Sequence, residues 1–78
     1  MLTALLELAK ILRKKCPWDK KLKMSDIPKL LIEESEEIRE AIEKKDWKNL
    51  KEEIGDVLFN LCLLMTIAEE KKHFKTED

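Results

Sequence analysis

Glycine occurs once and proline twice in 78 residues, while 42% of the residues are charged. So few turn formers among so many charges point to helices joined by tight turns. No strand alternation, internal repeat or low-complexity segment is present, and the class reads as all-α. Cysteine is almost as sparse. Cys16 and Cys62 follow no signal-peptide pattern, and Cys62 lies inside an apolar run. They read as reduced thiols of a cytoplasmic protein rather than as a disulfide. Neither sign of charge predominates. Sixteen basic and seventeen acidic residues leave a net charge of -1, which argues against a surface dedicated to nucleic acid. Nor is any apolar run long enough for a membrane. The longest, residues 57–68, is interrupted by Asn60 and Thr66 and falls well short of about 18 residues. The length itself allows one domain, residues 1–78. Such a chain buries only roughly 60% of its unfolded surface, so oligomerisation or a metal is the expected source of further stability.

What is present is helical periodicity in three blocks. Leu2, Leu5, Ala9 and Leu12 share one face of a helix over about residues 2–15, with Leu6 and Leu8 widening it. Cys16-Pro17-Trp18-Asp19 ends that helix and Lys20 to Met24 reads as a basic loop, the segment 16–25 as a whole being a connection. Ser25 or Asp26 can cap a second helix with Pro28 in its first turn, continuing to about residue 43, where Lys44 and Lys45 suit its C-terminal end. Asp46 is a candidate N-cap for a third helix over about residues 47–72. The short connection makes residues 26–74 an antiparallel hairpin, with 75–78 a tail.

The acidic residues sort by face. With Ile27 set to zero and about 100° per residue, Ile38, Leu31, Ile42, Ala41 and Leu30 form the inward stripe, and Glu34 falls at about 340° in the middle of it. Glu37 lies at its edge, whereas Glu36, Glu40 and Glu43 fall on the opposite, solvated face. A carboxylate among leucines is costly unless it is paired or holds a metal. In the third helix Trp47, Leu50, Ile54, Val57, Leu58, Leu61 and Met65 make one apolar face, on which Trp47 is expected in the core. Phe59, Leu63, Leu64 and Ile67 point elsewhere, so the helix is apolar nearly all round, which in so short a chain calls for a partner subunit. Glu34 with Glu37, and Glu53 with Asp56, are i, i+3 pairs. Counted from Asp46, the first pair lies twelve and nine residues back and the second seven and ten forward, so the pairs can face each other. Four carboxylates without histidine suit Mg²⁺ or Mn²⁺ rather than zinc. Pairing with lysines across the hairpin is the plainer alternative. A di-iron bundle is disfavoured because it uses Glu-x-x-His pairs, and the only histidine, His73, lies far along the chain and reads as a surface residue.

Cys16-Pro17-Trp18-Asp19, then Leu31-Ile32-Glu33-Glu34-Ser35-Glu36-Glu37-Ile38, then Asp46, Leu50 and Glu52-Glu53-Ile54-Gly55-Asp56 together resemble the MazG-type nucleoside triphosphate pyrophosphohydrolases. The hallmark of that family is Glu-Glu-x-x-Glu on one helix and Glu-x-x-Asp on the next. The resemblance covers about residues 16–74. It implies a protomer that assembles into a helical-bundle dimer or tetramer, with active sites along the hairpin. It also implies hydrolysis of a nucleoside triphosphate to the monophosphate and pyrophosphate. Magnesium, or manganese, would be held by Glu34, Glu37, Glu53 and Asp56, and Glu33 would be the catalytic residue that positions or deprotonates the attacking water. Lys20, Lys21 and Lys23 are candidates to neutralise the phosphates, Trp18 to stack on the base, and Asn60 to support Asp56 or touch the sugar. For the lysines the alternative is a merely solvated loop, and for Trp18 an anchor of that loop to the bundle. One departure stands out: Leu22-Lys23-Met24 occupies the place of the family's usual Gln-Thr-His segment. It favours the alternative reading, a catalytically weak nucleotide-binding regulatory module of the same fold.

Overall fold

A computed structural model describes residues 2–75, and over them it contains helices and turns without strands. Helix α1 spans Leu2–Lys15, α2 Pro17–Lys21, α3 Asp26–Glu43 and α4 Trp47–Glu70. The three long helices fall where periodicity puts them, α4 ending two residues earlier than expected. Helix α2 is the departure, because a five-residue helix occupies the place expected to be a break and a loop, giving four helices rather than three. Pro17 does both jobs. It cannot continue the ladder of α1, yet its fixed φ suits the first position of a new helix. Cys16 stands between the two in extended conformation, and its carbonyl accepts from the Lys20 N–H at 2.9 Å. The side chain of Leu2, and the expected tail apart from Lys75, lie outside the described residues.

The caps explain where the hairpin turns. The Asp46 carboxylate accepts from the Asn49 N–H at 3.2 Å, as an N-cap should. At α3, Ser25 holds the N-cap position without a side-chain capping bond, and Asp26 instead accepts from the Lys23 N–H at 2.9 Å, tightening the turn ahead of the helix. Helix α3 stops in a Schellman arrangement. Lys45 adopts the left-handed conformation (φ 56°), its N–H donating to Ile42 O at 3.1 Å and that of Asp46 to Ala41 O at 2.9 Å. Lys72 (φ 61°) repeats the motif after α4, with His73 N–H donating to Ala68 O. The tight reversal at 44–46 sets α3 antiparallel along α4.

Helix α4 is the spine, with α3 and α1 packed against it and α2 against α1. Ala9 of α1, Ile27 of α3 and Cys62 and Leu63 of α4 make the core, with Leu5, Leu31, Phe59 and Leu64 among the side chains packed around it. Thr66, Ile67 and Ala68 are buried as well, the Thr66 hydroxyl donating to Cys62 O at 2.9 Å. Both cysteines are free thiols, and burial pushes that of Cys62 above its usual pKa. The face expected to be the core of α4 is instead only partly covered by its neighbours. No member of the set from Trp47 to Met65 is buried, and Trp47 is 59% exposed. The physical reason is that a helix apolar on every side offers more surface than two neighbouring helices can cover. The line through Phe59, Leu63 and Ile67 receives them. Ile42, expected on the inward stripe of α3, is also exposed, at the turn end of the hairpin.

Candidate functional site

Glu34 and Glu37, one turn apart on α3, meet Glu53 of α4, and one carboxylate oxygen from each lies within 4.8 Å of the other two. Glu34 and Glu53 are half-buried and Glu37 is exposed. Oε2 of Glu34 and Oε2 of Glu53 are sealed from solvent, and among the described residues no N–H or O–H donor is directed at either. Buried acceptors without donors are rare in stable folds, and two of them in one acidic cluster ask for a cation or a proton. Their electrostatics agree. The Glu34 carboxyl, close enough to share a proton, pushes the Glu53 carboxyl above the ordinary range; Glu37 opposes this, and burial and the Glu34 and Asp56 charges add to it. Glu37 is pushed up by the nearness of the Glu53 carboxyl, with which it can share a proton, and by the charges of Glu53 and Asp56.

No lysine pairs with these acids in the ion pairs seen among the described residues. Those join Arg13 to Glu70 and Arg39 to Glu36 and Glu43. The last two lie on the wet face of α3, where such pairs contribute little. Glu36, Glu40 and Glu43 are exposed, as their position on the helix predicts.

Asp56 is exposed and stands one turn beyond Glu53, outside the three-oxygen cluster. It joins Glu34 in lining an adjacent cleft of about 230 Å³, together with Trp18, Asp19 and Asn60 over an apolar floor of Leu30, Phe59 and Leu63. The fold therefore brings Trp18, Glu34, Asp56 and Asn60 to one place from three separate helices. It does not bring in the others. Glu33 is exposed and belongs neither to the cluster nor to the cleft, and Lys20, Lys21 and Lys23 are exposed outside the cleft lining. Asp19 lines the cleft although sequence reasoning did not select it. The signal was there in its place beside Trp18, but only α2 turns both residues toward the same space.

The donor set fits a hard divalent cation: carboxylate oxygens alone, two of them buried without partners, on helices that fix their separation.

Comparison with known proteins agrees with this geometry. Residues 23–78 match the MazG nucleotide pyrophosphohydrolase domain. Over 63 residues, or 81% of the chain, it is 35% identical to the nucleoside triphosphate pyrophosphohydrolase of Escherichia coli, covering 24% of that protein. The same share is 41% identical to the nucleoside triphosphate pyrophosphohydrolase/pyrophosphatase MazG of Thermotoga maritima, covering 25% of it, and 40% identical to the Bacillus subtilis protein YabN, covering 13%. The chain thus spans about a quarter or less of the length of these relatives. The crystal structure of a MazG-related protein from Thermotoga maritima superposes with a TM-score of 0.85 at 35% identity, over 96% of this chain and 66% of that one. With the matched domain covering most of the sequence and the acidic hairpin at its centre, the chain belongs to the MazG nucleotide pyrophosphohydrolase family.

Proposed function

We propose that the chain is a magnesium-dependent nucleoside triphosphate pyrophosphohydrolase that converts (d)NTP and water to (d)NMP and pyrophosphate. The observation that carries this reading is the cluster of Glu34, Glu37 and Glu53, with two buried carboxylate oxygens lacking donors, beside a cleft wide enough to admit part of a nucleotide. Family membership and the names of the relatives support it. Glu34, Glu37 and Glu53 are the ligands we assign to magnesium, or to manganese in its place, with Asp56 completing the set from the cleft side. When bound, the ion supplies charge neutralisation on the triphosphate oxygens and lowers the pKa of a coordinated water.

The remaining roles belong to the protein's own groups. Trp18, 79% exposed at the mouth of the cleft, offers a flat face for the base. Asn60, half-buried, offers both a donor and an acceptor to the sugar or to Asp56. Glu33 is the acid of its motif left outside the cluster, which frees its carboxylate to orient the attacking water. Lys20, Lys21 and Lys23 sit on and after α2 with solvated ammonium groups, able to swing toward the phosphate tail on their long stems. We further propose a homo-oligomer, dimer or tetramer, closing over the open face of α4, and a cytoplasmic location. Among the described residues, no helix is long and apolar enough to cross a membrane.

Leu22-Lys23-Met24 supports a second reading, a nucleotide-binding regulatory module of weak activity, because Leu22 puts an apolar side chain into the cleft wall. A panel of ribo- and deoxynucleoside triphosphates incubated with Mg²⁺ separates the two. Pyrophosphate and monophosphate as products, with turnover reduced at least about 100-fold in Glu34→Ala and Asp56→Ala, establishes the enzyme. A folded chain that binds nucleotide without releasing pyrophosphate establishes the module.

A further inference from the structure

Helix α2 has five residues, too few to hold a helix on their own. Yet two of them, Trp18 and Asp19, line the cleft together with Glu34 and Asp56. What secures it lies beneath, on α1. The two N–H groups of Arg13 Nη1 are shared among three backbone carbonyls at the C-terminal end of α2: Asp19 O at 2.6 Å, Lys20 O at 3.0 Å and Leu22 O at 2.7 Å. Its Nε donates to the Glu70 carboxylate, 3.1 Å from Oε2 and 3.3 Å from Oε1. The Arg13 side chain is only 14% exposed. A cation against the carbonyls that close a helix is favourable both as a charge-assisted donor and against the helix dipole. One side chain thus joins α1, the end of α2 and the last turn of α4.

We infer that Arg13 is a positioning residue for the nucleotide, fixing α2 so that Trp18 and Asp19 face the acidic hairpin. The inference rests on the nucleotide reading of the site, but its geometric part does not. Arg13 makes none of its observed bonds to the acids themselves. Its loss therefore loosens substrate placement and leaves the cation ligands, all on α3 and α4, where they are. Lysine keeps the charge but lacks the planar fork that reaches Glu70 and the carbonyls together.

The test compares the wild-type chain with Arg13→Ala, Arg13→Lys and a stability control, Ile67→Ala, which empties a buried position that does not line the cleft. Hydrogen exchange of the Lys20 and Leu22 amides, both hydrogen-bonded within this segment, is followed well below each thermal midpoint, without nucleotide. KM, kcat and Mg²⁺ affinity are measured alongside. Arg13→Ala is expected to speed exchange in α2 at least about tenfold. KM should rise about tenfold, with kcat and Mg²⁺ affinity near wild type and part of the loss restored by Arg13→Lys. Exchange in α2 unchanged by Arg13→Ala, or a KM rise equally large in Ile67→Ala, would overturn the inference. If the wild-type chain turns over no nucleotide, the functional reading has failed, and α2 exchange alone decides whether Arg13 holds the segment.

Discussion

The two halves of α4 are built for different ends. From Val57 to Glu70 the helix lies under both α1 and α3, and all five of its buried residues, Cys62, Leu63, Thr66, Ile67 and Ala68, belong to that half. From Trp47 to Asp56 no residue is fully buried, Trp47 and Ile54 are exposed, and half-buried Glu53 joins the acidic cluster. The chain places its carboxylates where packing is thinnest. Glu37 and Asp56 stay exposed there, so a cation can reach the cluster although one oxygen each of Glu34 and Glu53 is sealed from solvent. One helix thus carries most of the buried core in one half and Glu53 and Asp56 in the other, with Phe59, Asn60 and Leu63 lining the cleft from the core half.

Substitutions can break that division. Leu63→Ala should destabilise the chain by about 3 kcal/mol, because Leu63 is 1% exposed at the centre of the core. Ile54→Ala, at a site 46% exposed, should cost only about 0.5 kcal/mol in the isolated chain while weakening the proposed self-association. Denaturant titration at low protein concentration, paired with sedimentation, reads both effects. Equal losses of folding stability would abolish the distinction between the halves.

Gly55 sharpens it further. It lies inside α4, between Glu53 and Asp56, and a Cβ placed there would meet nothing within 4 Å. Glycine in mid-helix is a cost the isolated chain does not need, so Gly55→Ala should stabilise it by about 0.5–1 kcal/mol in thermal or denaturant unfolding. A gain in stability accompanied by a loss of turnover or assembly would mark Gly55 as a point of close approach for a nucleotide or a second chain.

The smallest effect is electrostatic. Glu37 and Glu53 are raised above 4.5 in the folded chain, so without metal it holds their protons longer than the unfolded chain does. Their contribution to stability is complete below about pH 4.5 and is lost as the pH rises through their raised values. Glu53→Gln removes one of these titrations and gives Glu34 a permanent N–H donor. Its thermal midpoint should overtake that of wild type as the pH rises from about 4 to about 7, and Mg²⁺ should close the gap by stabilising wild type alone. A midpoint difference that stays constant with pH would show that the carboxyls do not share a proton.

Much of this is legible in the residues alone. Glu34 is conspicuous because it interrupts an apolar stripe, and the hairpin because Asp46 can cap only one helix start. The i, i+3 spacing on each side of the turn sets Glu34, Glu37, Glu53 and Asp56 at matching levels, of which the first three meet and Asp56 stands in the adjoining cleft. What stays hidden depends on competition between surfaces. Periodicity identifies the apolar faces of α4 but not which of them two neighbouring helices will cover, and so it assigns Trp47 to the core although that side chain lies in solvent. Helix α2 is hidden for a related reason. Five residues carry no periodic signal, and their helix is held from outside by Arg13, whose three carbonyl partners no local pattern announces. Asp19 is missed with it.

The central claim is that the acidic cluster is a divalent-cation site, and calorimetric titration of the nucleotide-free chain with Mg²⁺ tests it most directly. At a pH where the metal-free carboxyls still hold protons, saturable binding should release them, seen as an enthalpy that varies with the buffer, because carboxyls with raised pKa values must ionise to take the ion. Glu53→Ala and Glu34→Ala should each abolish both the binding and the proton release. Saturable binding that survives in both variants, or no binding by a folded wild-type chain, would contradict the account.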